Sequence, residues 1–420
     1  MRLIKSIIFL VIFTLFLTGC EKQSDKIELK FTSWGSKSEI SILKPLIEDF
    51  ECQNPDITIN FIHTPNNYFQ KLHLLAASNL MPDVVFINNL YGPLYAGNNI
   101  FMDLNGFLEK SRELKQKDFF PEALNAFKYK EKLYAIPRDI STLVIYYNKD
   151  LFRKYNAPLP TKDWTFKEFI AVADKLTKDF NNDGKTDLFG VSFEENPLFW
   201  LPFLWSNGGG FISADLKSVI LDKPESIEAI QLYSDLRNKY HVAPTKSEAG
   251  SATMAQLFME QKLAMHFSGR WFVPIYRQEV DFKWDIINFP HGKAGSVVGC
   301  DSSGWAISSK TKHPEAAWRF ISFLASKNSI ENFTKSGLIT PARIDVASSE
   351  AFLDKKTPPL HSEIFIDVIK TSISTPVSEN YQQLIDILKN ELEPVWAGEA
   401  SAKKLIDKKF VKKLEKNLLR

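Results

Sequence analysis

Residues 134–152 read YAIPRDISTLVIYYNKDLF, and this stretch decides how the rest of the chain is organised. Its second half, Thr142 to Tyr147, is rich in β-branched and aromatic residues and lies between Pro137 and Asn148. Such a run is too short for a helix and is typical of a buried strand. We predict that this strand leaves one lobe of the protein and becomes the first strand of another, so that the stretch is a hinge.

Three polar residues lie just before this strand. Arg138, Asp139 and Ser141 place a cation, a carboxylate and a hydroxyl where the chain would pass between lobes. Clefts between domains are the usual places for ligands to bind. The sequence therefore predicts a binding site at the hinge.

The length and composition indicate a soluble protein of two domains. A chain of 420 residues exceeds what one hydrophobic core normally serves. Its 44% apolar and 24% charged residues are ordinary for a globular protein. Loss of residues 1–19 would leave 50 basic and 50 acidic side chains, a balance that argues against nucleic-acid binding. The lysine-rich stretch from Ser401 to Leu419 carries apolar residues at helical spacing, which predicts an amphipathic helix.

The N-terminus has the features of an export signal. A basic start is followed by a mostly apolar run over residues 6–17, which is too short to span a bilayer. The sequence Leu17-Thr-Gly-Cys20 then resembles a bacterial lipobox. We expect residues 1–19 to be a signal peptide, Cys20 to be lipidated, and residues 20–26 to form a leash that tethers the body to the membrane. The alternative is a signal anchor with an incidental cysteine.

Cys52 and Cys300 are the other two of the three cysteines. They either form a disulfide or remain as thiols, and the sequence alone does not decide between these states.

The first part of the mature chain alternates strands and helices. This order predicts a mostly parallel sheet whose ligands bind beyond the carboxyl ends of the strands. The predicted elements are strands at Ile27–Ser33, Ile57–His63 and Asp83–Ile87 and helices at 39–51, 67–78 and 94–109. Trp34 and Asn88 follow two of these strands, which makes them candidate site residues. The alternative for a Trp after a strand is that its ring only fills the space under a loop.

An acidic stretch further along the chain has two interpretations. Asp179, Asn181, Asp183 and Asp187 have the spacing of an EF-hand-like calcium loop, but Gly190 stands where that loop needs a bidentate carboxylate. A tight turn built on Asp and Asn side chains is favoured over a calcium site.

The second half of the chain contains aromatic residues next to glycines. Trp205 precedes a run of three glycines, and Arg270 and Trp271 follow Ser268-Gly269 at the end of a predicted strand. A flat aromatic face with polar neighbours suits a pyranose ring, whose C–H face is apolar. Beside a cleft, such residues would indicate a carbohydrate site; the alternative is that the aromatic rings belong to the core.

Several motifs occur in an order that resembles bacterial extracellular solute-binding proteins of family 1, the family that includes maltose-binding protein. They are the lipobox, Pro82-Asp-Val-Val-Phe, the hinge stretch, Trp164-Thr-Phe, Leu263-Ala-Met-His-Phe-Ser-Gly-Arg-Trp271, Ser303-Gly-Trp-Ala-Ile307 and His313-Pro-Glu-Ala-Ala317. The resemblance implies an α/β fold of two lobes, the type II periplasmic-binding fold, each lobe a mainly parallel sheet flanked by helices. It divides the chain into an N-terminal lobe, residues 27–140 with 302–345, and a C-terminal lobe, residues 141–301 with 346–420.

The resemblance also implies a function. We expect a monomeric binding protein, without cofactor or catalytic activity, that captures a mono- or oligosaccharide and delivers it to the permease subunits of an ABC importer. It would be exported and anchored through Cys20 to the outer face of the plasma membrane or within the periplasm. Carried over by position, the cleft residues are Trp34, Glu39, Asn88, Arg138, Asp139, Trp205, Gly209, Arg270, Trp271, Asp301, Trp305, Arg343 and Tyr381.

Two alternatives remain open. The same fold would serve a non-sugar solute such as glycerol phosphate or a peptide, and three converging arginines, Arg138, Arg270 and Arg343, would favour an anionic one. A secreted glycosidase needs two carboxylates across the scissile bond, and Asp139 and Asp301 are candidates for that pair.

Overall fold

The structure is a computed structural model that describes residues 26–418. The predicted signal peptide over residues 1–19 and the predicted lipidation site Cys20 lie outside the described residues, as does the predicted leash apart from Lys26. Across residues 26–418 no helix is both long and apolar enough to cross a bilayer.

The strands of the described chain form two main sheets and one small hairpin. Their bounds are β1 Ile27–Ser33, β2 Ile57–His63, β3 Val84–Asn88, β4 Lys128–Tyr129, β5 Lys132–Leu133, β6 Ile136–Ser141, β7 Val144–Asn148, β8 Phe189–Val191, β9 Leu263–Ser268, β10 Trp284–Ile287, β11 Asp301–Ile307 and β12 Thr340–Pro341.

The first sheet has six strands in the order β12-β6-β11-β3-β1-β2. β1 pairs in parallel with β2 and β3, as the predicted alternation of strands and helices requires. β11 then runs antiparallel to β3 and β6, and β12 runs antiparallel to β6. The first half of the sheet is therefore parallel and the second half antiparallel.

The second sheet has four strands in the order β10-β7-β9-β8. β7 is antiparallel to both β10 and β9, and only β8 and β9 form a parallel pair. The α/β fold class is confirmed, but the prediction of mainly parallel sheets is wrong. The reason is that β7 comes directly from the first sheet and begins at the edge nearest to it. Its neighbours β9 and β10 run in the opposite direction.

The hinge stretch connects the two sheets. β6 ends at Ser141 and β7 begins at Val144, so only Thr142 and Leu143 separate a strand of the first sheet from a strand of the second. This confirms the predicted passage of the strand from one layer to the other. The exact lobe boundaries stay a prediction.

Two hydrophobic cores accompany the two sheets. Phe31, Phe86 and Trp305 belong to the core around the first sheet, and Tyr146 and Trp200 belong to the core around the second. Each sheet thus has its own buried apolar layer, which is what two separately packed lobes require.

Helices cover both sheets. The α-helices are Lys37–Gln53, Tyr68–Ala77, Gly92–Gly97, Asn105–Lys110, Pro121–Asn125, Lys149–Lys154, Phe166–Leu176, Pro197–Ser206, Pro224–Asn238, Lys246–Ala249, Met254–Met259, Val273–Glu279, Pro314–Leu324, Lys327–Lys335, Ile344–Ala347, Ile364–Asp367, Tyr381–Glu391, Glu393–Trp396, Ala402–Leu405 and Lys408–Leu418. Short 3-10 helices occur at Asn89–Tyr91, Gln116–Asp118, Arg270–Phe272 and Val368–Thr371.

Two long predicted helices are broken in the structure. The helix predicted over residues 94–109 is two short helices, because Asn99 adopts a left-handed conformation and Phe101 forms a β-bridge with Ser308. The helix predicted over residues 401–419 is also divided. Asp407 accepts a hydrogen bond of 2.8 Å from the amide of Phe410, which starts a new helix there.

Candidate functional site

A cavity of about 290 Å³ lies between the two sheets. Its walls come from both: the first sheet and its helix contribute Trp34 and Arg138, and the second contributes Arg270 and Trp271. The full lining is Trp34, Glu39, Asn88, Leu90, Arg138, Asp139, Ile140, Ser141, Leu143, Leu198, Arg270, Trp271, Asp301, Ser303, Leu338, Ile339 and Thr340.

The position of Trp34 on one wall follows from the end of β1. Its indole ring packs against Phe86 at 4.3 Å and Tyr68 at 5.0 Å between ring centroids, and the residue remains half-buried. Gly35 follows with a φ of +139°, a conformation that favours glycine, and turns the chain into the helix that carries Glu39. The turn brings a ring face and a carboxylate to the same wall.

Arg138 is the centre of a buried ion-pair cluster on this wall. Its guanidinium contacts the carboxylate of Glu39, and its Nε donates a hydrogen bond of 2.9 Å to Asp139. The Ser303 amide donates to the other oxygen of Asp139 at 3.1 Å. Burial raises the pKa of Asp139, although the Arg138 charge opposes that change. The cluster holds two carboxylates and one cation in fixed positions beside the cavity.

Asp301 is a buried carboxylate at the start of β11, and it is 5% exposed. Its partners are neutral: the Asn89 side chain donates a hydrogen bond of 3.1 Å. Burial raises the pKa of Asp301 to about 6, although hydrogen bonds from Asn89 and Thr375 act in the opposite direction. The carboxylate is thus a strong acceptor, and no cation among residues 26–418 forms an ion pair with it.

The opposite wall is formed by the short helix Arg270–Phe272 after β9. Gly269 lies under the Trp271 ring, so closely that a Cβ added there would be 1.9 Å from Cζ3 of the indole. The absence of a side chain at Gly269 lets the ring lie flat against the backbone. Arg270 is buried, and its guanidinium lies over the ring of Phe352 at 4.2 Å. This wall presents one aromatic side chain and one cation.

A second cavity of about 170 Å³ adjoins the first. Leu90, Leu198 and Asp301 line both, so the two spaces share a wall. Trp205 and Tyr381, predicted as cleft residues, line this second cavity rather than the first.

Three predicted cleft residues line neither cavity, and their predicted place is corrected by their contacts. Trp305 is 1% exposed and packs in the core of the first sheet near Phe86. Gly209 is pressed against Ser226, whose Oγ would lie 2.6 Å from an added Cβ. Arg343 forms a two-pronged ion pair with Asp345 at 2.9 and 3.0 Å. The predicted convergence of three arginines is therefore not seen: Arg138 and Arg270 line the cavity, whereas Arg343 is paired with Asp345 elsewhere.

Several lining residues have no signal in the sequence. Leu198 is the second residue of the helix Pro197–Ser206. Leu338 and Ile339 directly precede β12, and Thr340 begins it. The apolar residues among them do not differ in pattern from core residues. Ser303 alone had a usable signal, because it lies two residues after Asp301 on the same face of β11.

The acidic turn and the two cysteines are not among the residues that line either cavity. The oxygens of Asp179 accept hydrogen bonds from the amides of Asn182 and Gly184 at 2.8 and 2.9 Å. In the part of the chain that the structure describes, no group of three or more His, Cys, Asp or Glu is arranged to hold a metal. The hydrogen bonds of Asp179 therefore favour the tight turn over a calcium site. Cys52 is exposed and Cys300 is buried, and both are free thiols.

The chain is also similar in sequence to known proteins. The sequence profile of the bacterial extracellular solute-binding proteins matches residues 34–329. The chain belongs to this family. Family members are binding proteins that act outside the cytoplasm.

The sequences of related proteins align with this solute-binding protein over most of its length. It is 24% identical to a putative binding protein of Brucella abortus over 83% of each chain, and 24% identical to the multiple sugar-binding protein of Streptococcus mutans over 76% of this chain and 77% of the relative. A solved structure of an ABC substrate-binding protein from Listeria monocytogenes in complex with cycloalternan has a TM-score of 0.84 and 27% identity, and it covers 94% of this chain and 98% of its own.

Proposed function

We propose that this solute-binding protein captures a saccharide in the cavity between its two sheets and delivers it to the permease of an ABC importer. The observation that carries the proposal is the pair of half-buried indoles, Trp34 and Trp271, on opposite walls of one cavity. Aromatic faces suit the apolar C–H faces of pyranose rings. The Streptococcus mutans relative is a multiple sugar-binding protein, and the Listeria neighbour holds cycloalternan.

The polar groups of the cavity supply hydrogen bonds for hydroxyl groups. Asp301 and Asp139 accept from hydroxyls, and Arg270 donates to them. A buried polar group without a partner is costly, so a sugar with hydroxyls around its ring binds better than an apolar molecule of the same size. These residues remain proposed ligand contacts.

Capture couples to transport through closure of the two lobes. A ligand that contacts both walls favours the closed arrangement by the difference between its contacts in the closed and open states. The hinge residues Thr142 and Leu143 lie beside the cavity, where a small change in backbone angles moves one sheet relative to the other. The permease would recognise the closed form.

The protein would act as a monomer anchored outside the cytoplasm. The family is extracellular, and the lipobox at Leu17–Cys20 supports lipid attachment at Cys20. The acyl chains would hold the binding lobes near the permease.

We propose binding without catalysis. A glycosidase needs one carboxyl group free to donate a proton and a second free to act as base or nucleophile. Asp139 is held by Arg138 and by the Ser303 amide, so that it serves as a fixed acceptor. Recovery of the unchanged sugar after incubation tests this part of the proposal.

The proposal is tested by titrating the purified protein with a ligand panel. Intrinsic tryptophan fluorescence and the melting temperature are measured with mono- and oligosaccharides, amino acids, peptides and glycerol phosphate. We expect a saccharide to change both signals, because Trp34 and Trp271 line the site. The proposal is wrong if a peptide, an amino acid or glycerol phosphate changes both signals and no saccharide does.

A further inference from the structure

In the described part of the chain, Arg270 is a buried cation of the cavity wall without an anionic partner. It is 4% exposed. Within the described residues no carboxylate oxygen lies within 4.0 Å of its guanidinium, and the positive charge of Arg277 disfavours the charged form of Arg270. Burial lowers the pKa of Arg270 to about 9, which leaves it charged at neutral pH. A buried charge of this kind is expensive unless something pairs with it.

The hydrogen bonds of Arg270 within the protein are also incomplete. A guanidinium carries five N–H donors. Among residues 26–418, Nη1 donates to Ser362 Oγ at 3.2 Å, whereas the buried Nε has no partner. Phe352 and Phe365 cover the guanidinium at 4.2 and 5.3 Å but accept no conventional hydrogen bond. The side chain is therefore held in place with most of its donor capacity unused.

The charges of the cavity are arranged on opposite walls. Glu39, Asp139 and Asp301 all belong to the wall of the first sheet, where Arg138 balances only part of their charge. Among the described residues that line the second sheet's wall, Arg270 is the one that carries a charge. This charge distribution favours a ligand that points hydrogen-bond donors at the first wall and a negatively charged group at Arg270.

From this arrangement we propose that the solute is an acidic saccharide, whose carboxylate binds Arg270 while its hydroxyls face Glu39, Asp139 and Asp301. The inference rests on the proposed function and specifies its substrate class. A carboxylate matches the planar fork of one guanidinium and balances its single charge. A phosphate monoester carries more charge and leaves the excess facing three carboxylates.

The test compares matched pairs of ligands by isothermal titration calorimetry. Each pair consists of a neutral saccharide and its uronic-acid counterpart, such as galactobiose with digalacturonate and glucose with glucuronate, and glucose 6-phosphate is a third arm. We expect the acidic member of a pair to bind about 10- to 100-fold more tightly, the effect of a charge-assisted hydrogen-bond pair. Neutral saccharides that bind as tightly as their acidic counterparts would contradict this inference alone, as would tighter binding of the phosphate.

Variants locate the preference at Arg270. Arg270→Gln should remove the preference for the acidic member, and Arg270→Lys should retain part of it because the charge remains. Arg153→Gln is the control, since Arg153 carries the same charge at an exposed position and does not line the cavity. An unchanged preference in Arg270→Gln, with a melting temperature close to that of the wild type, overturns the inference. A panel in which no saccharide of either kind binds contradicts the proposed function as well.

Discussion

The side-chain amide of Asn89 joins two parts of the chain that are 212 residues apart, by donating a hydrogen bond of 3.1 Å to the carboxylate of Asp301. The same amide group accepts a hydrogen bond of 2.9 Å from the Ser302 backbone. One asparagine thus fixes both the start of β11 and the direction of the Asp301 carboxylate. It supplies no charge, so Asp301 is oriented but not neutralised.

The first prediction concerns the pH dependence of stability in Asp301→Asn. Burial raises the pKa of Asp301 from the usual 3.8 to about 6, so between these values the folded protein holds a proton that the unfolded chain releases. Wild-type stability therefore falls as the pH rises through this window, by up to about 3 kcal/mol from this one group. Asparagine does not carry this cost, and the stability of the variant relative to the wild type should rise between pH 4 and pH 7.5.

Melting temperatures of both proteins across this pH range check the prediction. Asp281→Asn is the control, because it removes one negative charge from an exposed position. A difference between Asp301→Asn and the wild type that stays constant from pH 4 to pH 7.5 would contradict the assignment.

The second prediction concerns Arg138. Arg138→Met leaves the buried carboxylates of Glu39 and Asp139 without a cation, which should cost about 3–5 kcal/mol of unfolding free energy. The triple variant Glu39→Gln, Arg138→Met, Asp139→Asn removes all three charges and should recover part of that loss. Chemical denaturation measures the unfolding free energy of both variants. A loss below about 1 kcal/mol in Arg138→Met would rule out a stabilising role for Arg138 between the two carboxylates.

The third prediction concerns the space under Trp271. In Gly269→Ala the new methyl group collides with the indole ring and turns it away from its place on the wall. We expect saccharide affinity to fall about tenfold, the loss of one aromatic contact. Gly106→Ala is the matched control, because no atom lies within 4 Å of a Cβ added there. It should leave affinity unchanged, and equal affinities in both variants would show that the Trp271 ring does not contact the ligand.

The fourth prediction concerns the acidic turn. Asp179→Ala removes the acceptor of two backbone amides and should lower stability by about 1 kcal/mol. Asp174→Ala, an exposed change on the preceding helix, is the control and should have little effect. Neither a chelator nor added calcium should change the wild-type melting temperature. A clear rise with calcium would instead support a cation site in this turn.

The sequence predicts those features of the fold that depend on local pattern. β1 and β2 were predicted with their observed bounds, because each alternates apolar and polar residues between clear turn signals. The passage from β6 to β7 was also predicted from the sequence, because Pro137 and Asn148 mark its limits. The direction of the strands in the second sheet could not be predicted, because the sequence of residues 144–148 is equally compatible with parallel and antiparallel neighbours.

The candidate site could be predicted only in part. The cavity contains Trp34 and Trp271 as expected, since each follows a strand directly. Trp305 was misplaced because side chains alternate along a strand, and its pattern does not say which face meets the core. Arg343 was misplaced because its partner, Asp345, is so close in sequence that it carries no long-range information.

The most direct test of the account is a crystal structure of the protein with the tightest-binding solute from the panel. We predict a saccharide whose rings lie between Trp34 and Trp271, with hydroxyls hydrogen-bonded to Asp301 and an anionic group at Arg270. A peptide or amino acid between these walls, or a saccharide bound away from both tryptophans, would contradict it.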